Sequence, residues 1–106
     1  GGEKVSPSQV DEALLRHPAV AEAVAFGLPS DKYGERVAAV VVLRAGATQP
    51  QTSEKDLIAF AAKTLTKEKV PVRVFVVDEI PKSATGKVQR RHVADMMAKK
   101  TGVSKL

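Results

Sequence analysis

The chain contains no cysteine and no tryptophan, and only 4% of its 106 residues are aromatic. The absence of cysteine excludes disulfide bonds, thiolate metal sites and a cysteine nucleophile. Two histidines are too few for a histidine-rich metal centre, so we expect no metal site. No apolar run approaches the roughly 18 residues that a membrane-spanning helix needs, so we expect no membrane span. The core of this single domain must therefore consist mainly of Val, Leu and Ala.

The positive charge is concentrated in the second half of the chain. Residues 1–53 contain five basic and six acidic side chains, whereas residues 54–106 contain twelve basic and six acidic ones. This asymmetry indicates either an anionic partner, such as a phosphate, a nucleotide or a nucleic acid, or a solvated surface. A small nucleic-acid-binding module is one interpretation, but no aromatic side chains interleave with the basic ones to stack on bases.

Hydrophobic periodicity and capping residues predict three helices and three strands. Pro7, between the capping pair Ser6 and Gln9, marks the start of the first helix. Ser53 caps the second helix, whose predicted buried stripe ends at Thr64 and Leu65. The predicted elements are a helix that stops before Pro18, strands over 20–27 and 36–44, a helix between Ser53 and Pro71, a strand over 72–77, and a helix over 90–100. The result is an α+β domain, in the order α-β-β-α-β-α, with a small three-stranded, mainly antiparallel sheet covered by helices. The apolar run Val37–Leu43 predicts that the second strand is central.

The most informative segment runs from Pro81 to Arg91, with the sequence PKSATGKVQRR. Gly86 permits unusual backbone angles beside Lys87, so Lys87 is expected at the tip of a hydrogen-bonding loop. Lys82 lies on the same loop without an assigned role. The segment is not a Walker A loop, because the required glycine and Ser/Thr positions hold Pro81 and Val88. On residue types alone, a solvated basic loop is the alternative to a catalytic lysine.

Residues 1–7 (GGEKVSP) and 81–91 resemble two signatures of the adenylate-forming enzymes, which include acyl-CoA synthetases, luciferases and peptide-synthetase adenylation domains. Residues 18–29, followed by residues 33–35, resemble the family's stretch between them. The resemblance covers essentially all of residues 1–100 of this chain. In the family, the corresponding part is only the small, mobile C-terminal domain. We therefore expect a piece of a longer chain, in which 1–100 form the C-terminal lid domain and 101–106 form a tail.

The resemblance implies an acid–CoA ligase that forms an acyl-adenylate from a carboxylic acid and ATP and then a thioester with CoA. Lys87 matches the family's adenylation lysine, whose charge offsets that of the reacting carboxylate and α-phosphate. Gly1 and Gly2 match the loop that lines the CoA tunnel, and Lys4 matches a position near the adenylate. ATP and Mg would be bound mainly by the absent N-terminal domain, with CoA as co-substrate, so the fragment alone is expected to be inactive. Its partners would be that domain, the carboxylic acid, ATP and CoA, and not a nucleic acid.

The C-terminal tripeptide Ser104-Lys105-Leu106 matches the peroxisomal import signal if the chain truly ends there. It predicts peroxisomal localisation and an import receptor as a partner; the alternatives are a frayed terminus and a chance tripeptide. The tail and residues 1–4 together resemble the peroxisomal oxalate–CoA ligase branch of the family. A peroxisomal interaction domain without chemistry is a further alternative.

Several other residues have ordinary structural interpretations. Gln9 stands where many relatives carry Glu, and only a capping effect is expected. His17 is expected to cap or pack at a helix end. Arg90 and Arg91 either contact the large domain or are solvated. Met96 and Met97 are expected to fill the core.

Overall fold

The computed structural model describes residues 7–30, 34–46, 53–82 and 84–101, and the predicted order of helices and strands is confirmed. A short 3-10 helix that the sequence did not predict precedes the third strand. The elements are α1 (Pro7–Leu15), β1 (Val20–Ser30), β2 (Gly34–Leu43), α2 (Glu54–Ala62), the 3-10 helix (Lys67–Lys69), β3 (Arg73–Val76) and α3 (Arg90–Thr101).

The three strands form one sheet in the order β1-β2-β3. β1 and β2 pair antiparallel over nearly their whole length, from Val20 opposite Leu43 to Ser30 opposite Gly34. β3 pairs parallel with β2 over a much shorter stretch. Two parallel strands need a crossover connection, and α2 lies in the segment that provides it. The prediction of a small, mainly antiparallel sheet is confirmed.

The central strand β2 is buried on both faces, which explains its uninterrupted apolar sequence. Val37, Ala39 and Val41 belong to one hydrophobic cluster, whereas Ala38 and Val40 belong to the other. This alternation follows from the two-residue period of a strand. The predicted central position of this strand is therefore correct.

Helices cover the two faces of the sheet separately. α1 and α2 pack on one face, where the buried helical residues are Val10, Ala13, Leu14, Leu57 and Ala61. α3 packs on the other face through Val93 and Met97, with Met96 partly buried beside them. The expectation that both methionines fill the core is confirmed.

The second helix begins where the sequence predicts and ends earlier. The Ser53 hydroxyl accepts a hydrogen bond from the backbone N–H of Asp56, as expected of an N-cap. After Ala62 the backbone N–H groups of Lys63 and Thr64 bond to carbonyls three residues back, which tightens the chain out of the α-helix. Thr64 is consequently exposed and Leu65 only partly buried, so the predicted buried stripe was too long.

The end of α1 is fixed by His17. Its Nδ1 accepts the backbone N–H of Ala19 at 3.0 Å, and its ring packs edge-on against Phe60 with centroids 4.7 Å apart. The structural role expected of His17 is confirmed.

Gln9 accepts a hydrogen bond from Lys69 Nζ at 2.8 Å. Its predicted capping partner, Ser6, lies outside the described residues.

An ion pair lies at the β3 edge of the sheet. Glu54, the first residue of α2, accepts hydrogen bonds from Arg73 Nε at 2.7 Å and from the backbone N–H of Val74 at 2.9 Å. The Arg73 guanidinium also lies over the ring of Phe75, 4.7 Å from its centroid. One carboxylate thus joins the start of α2 to the edge strand.

Candidate functional site

Lys87 lies in a tight exposed loop that connects the sheet to α3. An isolated antiparallel bridge between Lys82 and Val88 closes the base of this loop, and Lys87 immediately precedes the bridge. The Lys87 side chain is exposed and forms no ion pair with a carboxylate of the described residues. The loop therefore presents an ammonium group to whatever approaches it.

Gly86 has the backbone angle φ of +84°, a conformation that residues with a side chain rarely adopt. A Cβ atom built at this position would meet nothing within 4 Å. The requirement for glycine is thus conformational and not steric. The prediction that Gly86 supplies an unusual backbone angle beside Lys87 is confirmed.

Lys82, which the sequence left without a role, anchors the first side of the loop. Its Nζ lies 3.3 Å from Glu22 Oε1 on β1, and its backbone forms the bridge to Val88. The side chains of this ion pair are 45% and 40% exposed, so its contribution to stability is small.

Arg90, the first residue of α3, anchors the second side of the loop with a planar, two-pronged contact. Its Nη1 and Nη2 donate to Asp11 Oδ1 and Oδ2 at 3.1 and 3.0 Å, and Nη1 also donates to the carbonyl of Ala25 at 2.6 Å. Asp11 in turn accepts the backbone N–H of Ala25. Asp11, Ala25 and Arg90, which we call the Arg90 clamp, join α1, β1 and α3.

The sequence did not reveal the Arg90 clamp. Contact with another domain and simple solvation were the two expectations for Arg90, and the structure shows instead an internal ion pair. Arg90 and Asp11 are 79 residues apart, so no local pattern connects them. Arg91 is exposed, and an open groove of about 310 Å³ lies beside it. The groove is lined by Phe26, Gly27, Arg90, Arg91, Ala94 and Asp95.

Gly1, Gly2, Lys4 and the tripeptide 104–106 lie outside the described residues. Of the predicted site, the structure therefore places Lys87 alone.

The described residues contain no cluster of metal-binding side chains. Among residues 7–30, 34–46, 53–82 and 84–101, no group of three or more His, Asp or Glu side chains could hold a metal ion. In the same ranges, no helix is long and apolar enough to cross a membrane.

Three basic side chains of the second half of the chain form ion pairs within the fold. Arg90 and Lys82 pair with Asp11 and Glu22 from the first half, and Arg73 pairs with Glu54. Charge that neutralises internal carboxylates is not available as a continuous surface for a polyanion. Two of the six excess positive charges of the second half are paired in this way with the first half, which weakens the argument from charge for a nucleic-acid-binding module only slightly.

The α+β fold and the exposed lysine loop together agree with one family. Residues 9–87 match the AMP-binding enzyme C-terminal domain, and the matched segment ends at Lys87. The chain belongs to this family of C-terminal domains from AMP-binding enzymes.

Among its relatives, the chain is 50% identical to an oxalate–CoA ligase of Arabidopsis thaliana, over 94% of this chain and 19% of that protein. It is 46% identical to an oxalate–CoA ligase of Saccharomyces cerevisiae, over 93% of this chain and 18% of that protein. The crystal structure of ATP-bound MatB from Rhodopseudomonas palustris superposes with a TM-score of 0.82 at 32% identity, covering 95% of this chain and 19% of MatB. The chain thus spans about a fifth of the length of the relatives it matches.

Proposed function

We propose that this chain is the mobile C-terminal domain of an ATP-dependent acid–CoA ligase and that Lys87 assists its adenylation step. In that step a carboxylate oxygen attacks the α-phosphorus of ATP, and the bond to the departing pyrophosphate breaks. In the second step the sulfur of CoA attacks the acyl carbon, the bond to AMP breaks, and the thiol loses its proton. The observation that carries the proposal is an exposed lysine at the end of the family match, which forms no ion pair with a carboxylate of the described residues.

The chemistry of the first step explains why a lysine suits this loop. Negative charge accumulates where the carboxylate meets the α-phosphate, and a positioned ammonium stabilises it. A cation on a mobile domain can also be withdrawn before the second step. In the proposed thioester conformation, Gly1 and Gly2 line the CoA tunnel, where small residues let the backbone approach a ligand. Lys4 is proposed to lie near the adenylate. Because most of the enzyme would lie in another domain, which also holds ATP and Mg²⁺, residues 1–106 alone should be inactive.

The two half-reactions test the role of Lys87 in the complete ligase. Lys87→Ala should slow adenylate formation by about 10²–10³-fold, the typical cost of removing one preorganised charge. Thioester formation from a supplied acyl-adenylate should proceed at the original rate, because Lys87 acts only in the first conformation. Lys87→Arg should not restore full activity, because a planar guanidinium does not replace a compact ammonium.

Lys55→Ala, which removes an exposed lysine from α2, is a suitable control and should change neither half-reaction. Lys82→Ala is a poorer control, because Lys82 anchors the loop through Glu22. Equal losses in both half-reactions for Lys87→Ala would show that Lys87 is a structural residue.

We propose oxalate as the acid, in keeping with the names of the two relatives above. The pocket for the acid would lie in the other domain, so this chain does not define it. Acyl-CoA formation by the complete ligase should be faster with oxalate than with acetate at equal concentration. A preference for acetate would contradict the assignment.

We propose that Ser104-Lys105-Leu106, as the free carboxyl end of the ligase, directs it to peroxisomes through the import receptor. A fluorescent reporter that ends in residues 101–106 should localise to peroxisomes. Extension beyond Leu106 should abolish the import, because the receptor reads a free carboxyl end. A reporter that stays cytosolic with the tail exposed would overturn this proposal.

A further inference from the structure

We propose that Arg90 is a positioning residue for Lys87, acting through Asp11 and the backbone of Ala25. This inference rests on the proposed function of Lys87. Its basis is the Arg90 clamp, which fixes the first turn of α3 only three residues after the lysine. Three residues span at most about 10 Å of extended chain, so the clamp restricts where Lys87 can lie.

Both anchors of the lysine loop end on the same strand. Before the loop, Lys82 contacts Glu22 on β1, and after it Arg90 contacts Ala25 on β1. The loop that carries Lys87 is therefore held between two attachments to one rigid element. A loop held in this way moves with the sheet when the domain moves, so its lysine keeps a fixed place relative to the domain.

The two anchors differ in strength. The Lys82 anchor is a single ion pair between side chains that are both well exposed. The Arg90 clamp has three hydrogen bonds from one guanidinium, and the Asp11 side chain is only 17% exposed. Charge-assisted two-pronged contacts of this kind are strong and also fix orientation. Arg90 is thus the anchor that can control the lysine's position.

Electrostatic stabilisation and proximity both depend steeply on where the catalytic group lies, so the position of Lys87 should affect the rate of adenylation. A displacement of about 1 Å by a distant mutation can cost roughly 100-fold in rate. Lysine in place of Arg90 keeps the positive charge but lacks the fork that reaches both Asp11 oxygens and the Ala25 carbonyl. Arg90→Lys should consequently loosen the loop without removing any charge from the domain.

The experiment uses the complete ligase and measures the two half-reactions separately. Arg90→Lys should lower the kcat of adenylate formation about tenfold, with the KM for ATP and the thioester half-reaction changed less than about twofold. Asp11→Asn, which keeps an acceptor for the Ala25 N–H, should behave in the same way. Arg73→Lys makes the same substitution in the ion pair at the other edge of the sheet, and it should leave both half-reactions unchanged.

A double-mutant cycle with Lys87→Ala decides whether Arg90 acts through the lysine. In the Lys87→Ala background, Arg90→Lys should cause no further loss of adenylation. An equal loss in both backgrounds, or an equal loss in both half-reactions, would overturn the positioning role. Full adenylation by Lys87→Ala alone would overturn the proposed function and this inference with it, so the two failures are distinguishable.

Discussion

The two edges of the sheet carry the same arrangement of interacting groups, but the residues that form it are separated by different distances along the chain. At each edge a carboxylate from a helix accepts a backbone N–H of the edge strand and pairs with an arginine. At β3 the arginine is Arg73, adjacent to Val74 whose N–H Glu54 accepts. At β1 the arginine is Arg90, which comes from α3. Both ion pairs join a helix to an edge strand, but the pair at β1 spans 79 residues against 19 at β3 and also ties a third element, α3, to the strand.

The two ion pairs also differ in how far their carboxylates are buried. The Asp11 side chain is 17% exposed, against 37% for Glu54. At β1, both backbone polar groups of Ala25 are bonded by the pair, so side chains take the place of a further strand at this position. Occupied edge groups cannot pair with another chain, which protects the edge against aggregation.

The largest difference between the two edges is expected in the free energy of unfolding when each arginine is replaced by alanine. Arg90→Ala should lower the free energy of unfolding by about 2–3 kcal/mol, because Asp11 and the Ala25 carbonyl both lose their partner. Arg73→Ala should cost about 1 kcal/mol or less, since Glu54 remains hydrated. Urea unfolding of the chain and its two variants measures both values. Equal losses at the two edges would contradict the distinction drawn here.

Two glycines of the described residues have left-handed backbone angles, and replacing them distinguishes an effect on stability from an effect on function. Gly86 and Gly46 have φ of +84° and +86°, and a Cβ at either position would meet open space. Gly86→Ala and Gly46→Ala should therefore each cost about 1 kcal/mol in urea unfolding. Only Gly86→Ala should also slow adenylation in the complete ligase, because Gly86 shapes the loop held by the Arg90 clamp. If Gly46→Ala slows adenylation as much, the effect reflects stability alone.

The smallest effect is expected at the weaker anchor of the lysine loop. Lys82→Ala should lower the free energy of unfolding by at most about 0.5 kcal/mol, because both partners of its ion pair are exposed. The difference from the original chain should vanish in roughly 1 M salt, which screens exposed charges. The cost of Arg90→Ala should largely persist in that salt. A Lys82 effect that is large and independent of salt would make the two anchors equivalent.

Most of the fold could be predicted because its signals are local. The Ser53 cap, the apolar run Val37–Leu43 and the glycine beside Lys87 each act within a few residues, and each prediction is confirmed. The errors arose where local signals compete. The periodic pattern continued to Leu65, but the backbone tightened after Ala62 and left Thr64 exposed.

The sequence by itself determined the type and order of the α-helices and strands, the central place of β2 and the loop that presents Lys87. Hydrophobic periodicity, caps and turn residues act over a few positions, so they can be read along the chain. Only the tertiary structure decided that β3 runs parallel to β2 and that Arg90 binds Asp11. Contacts between residues 79 positions apart depend on how the helices dock on the sheet, and a one-dimensional pattern does not contain that geometry.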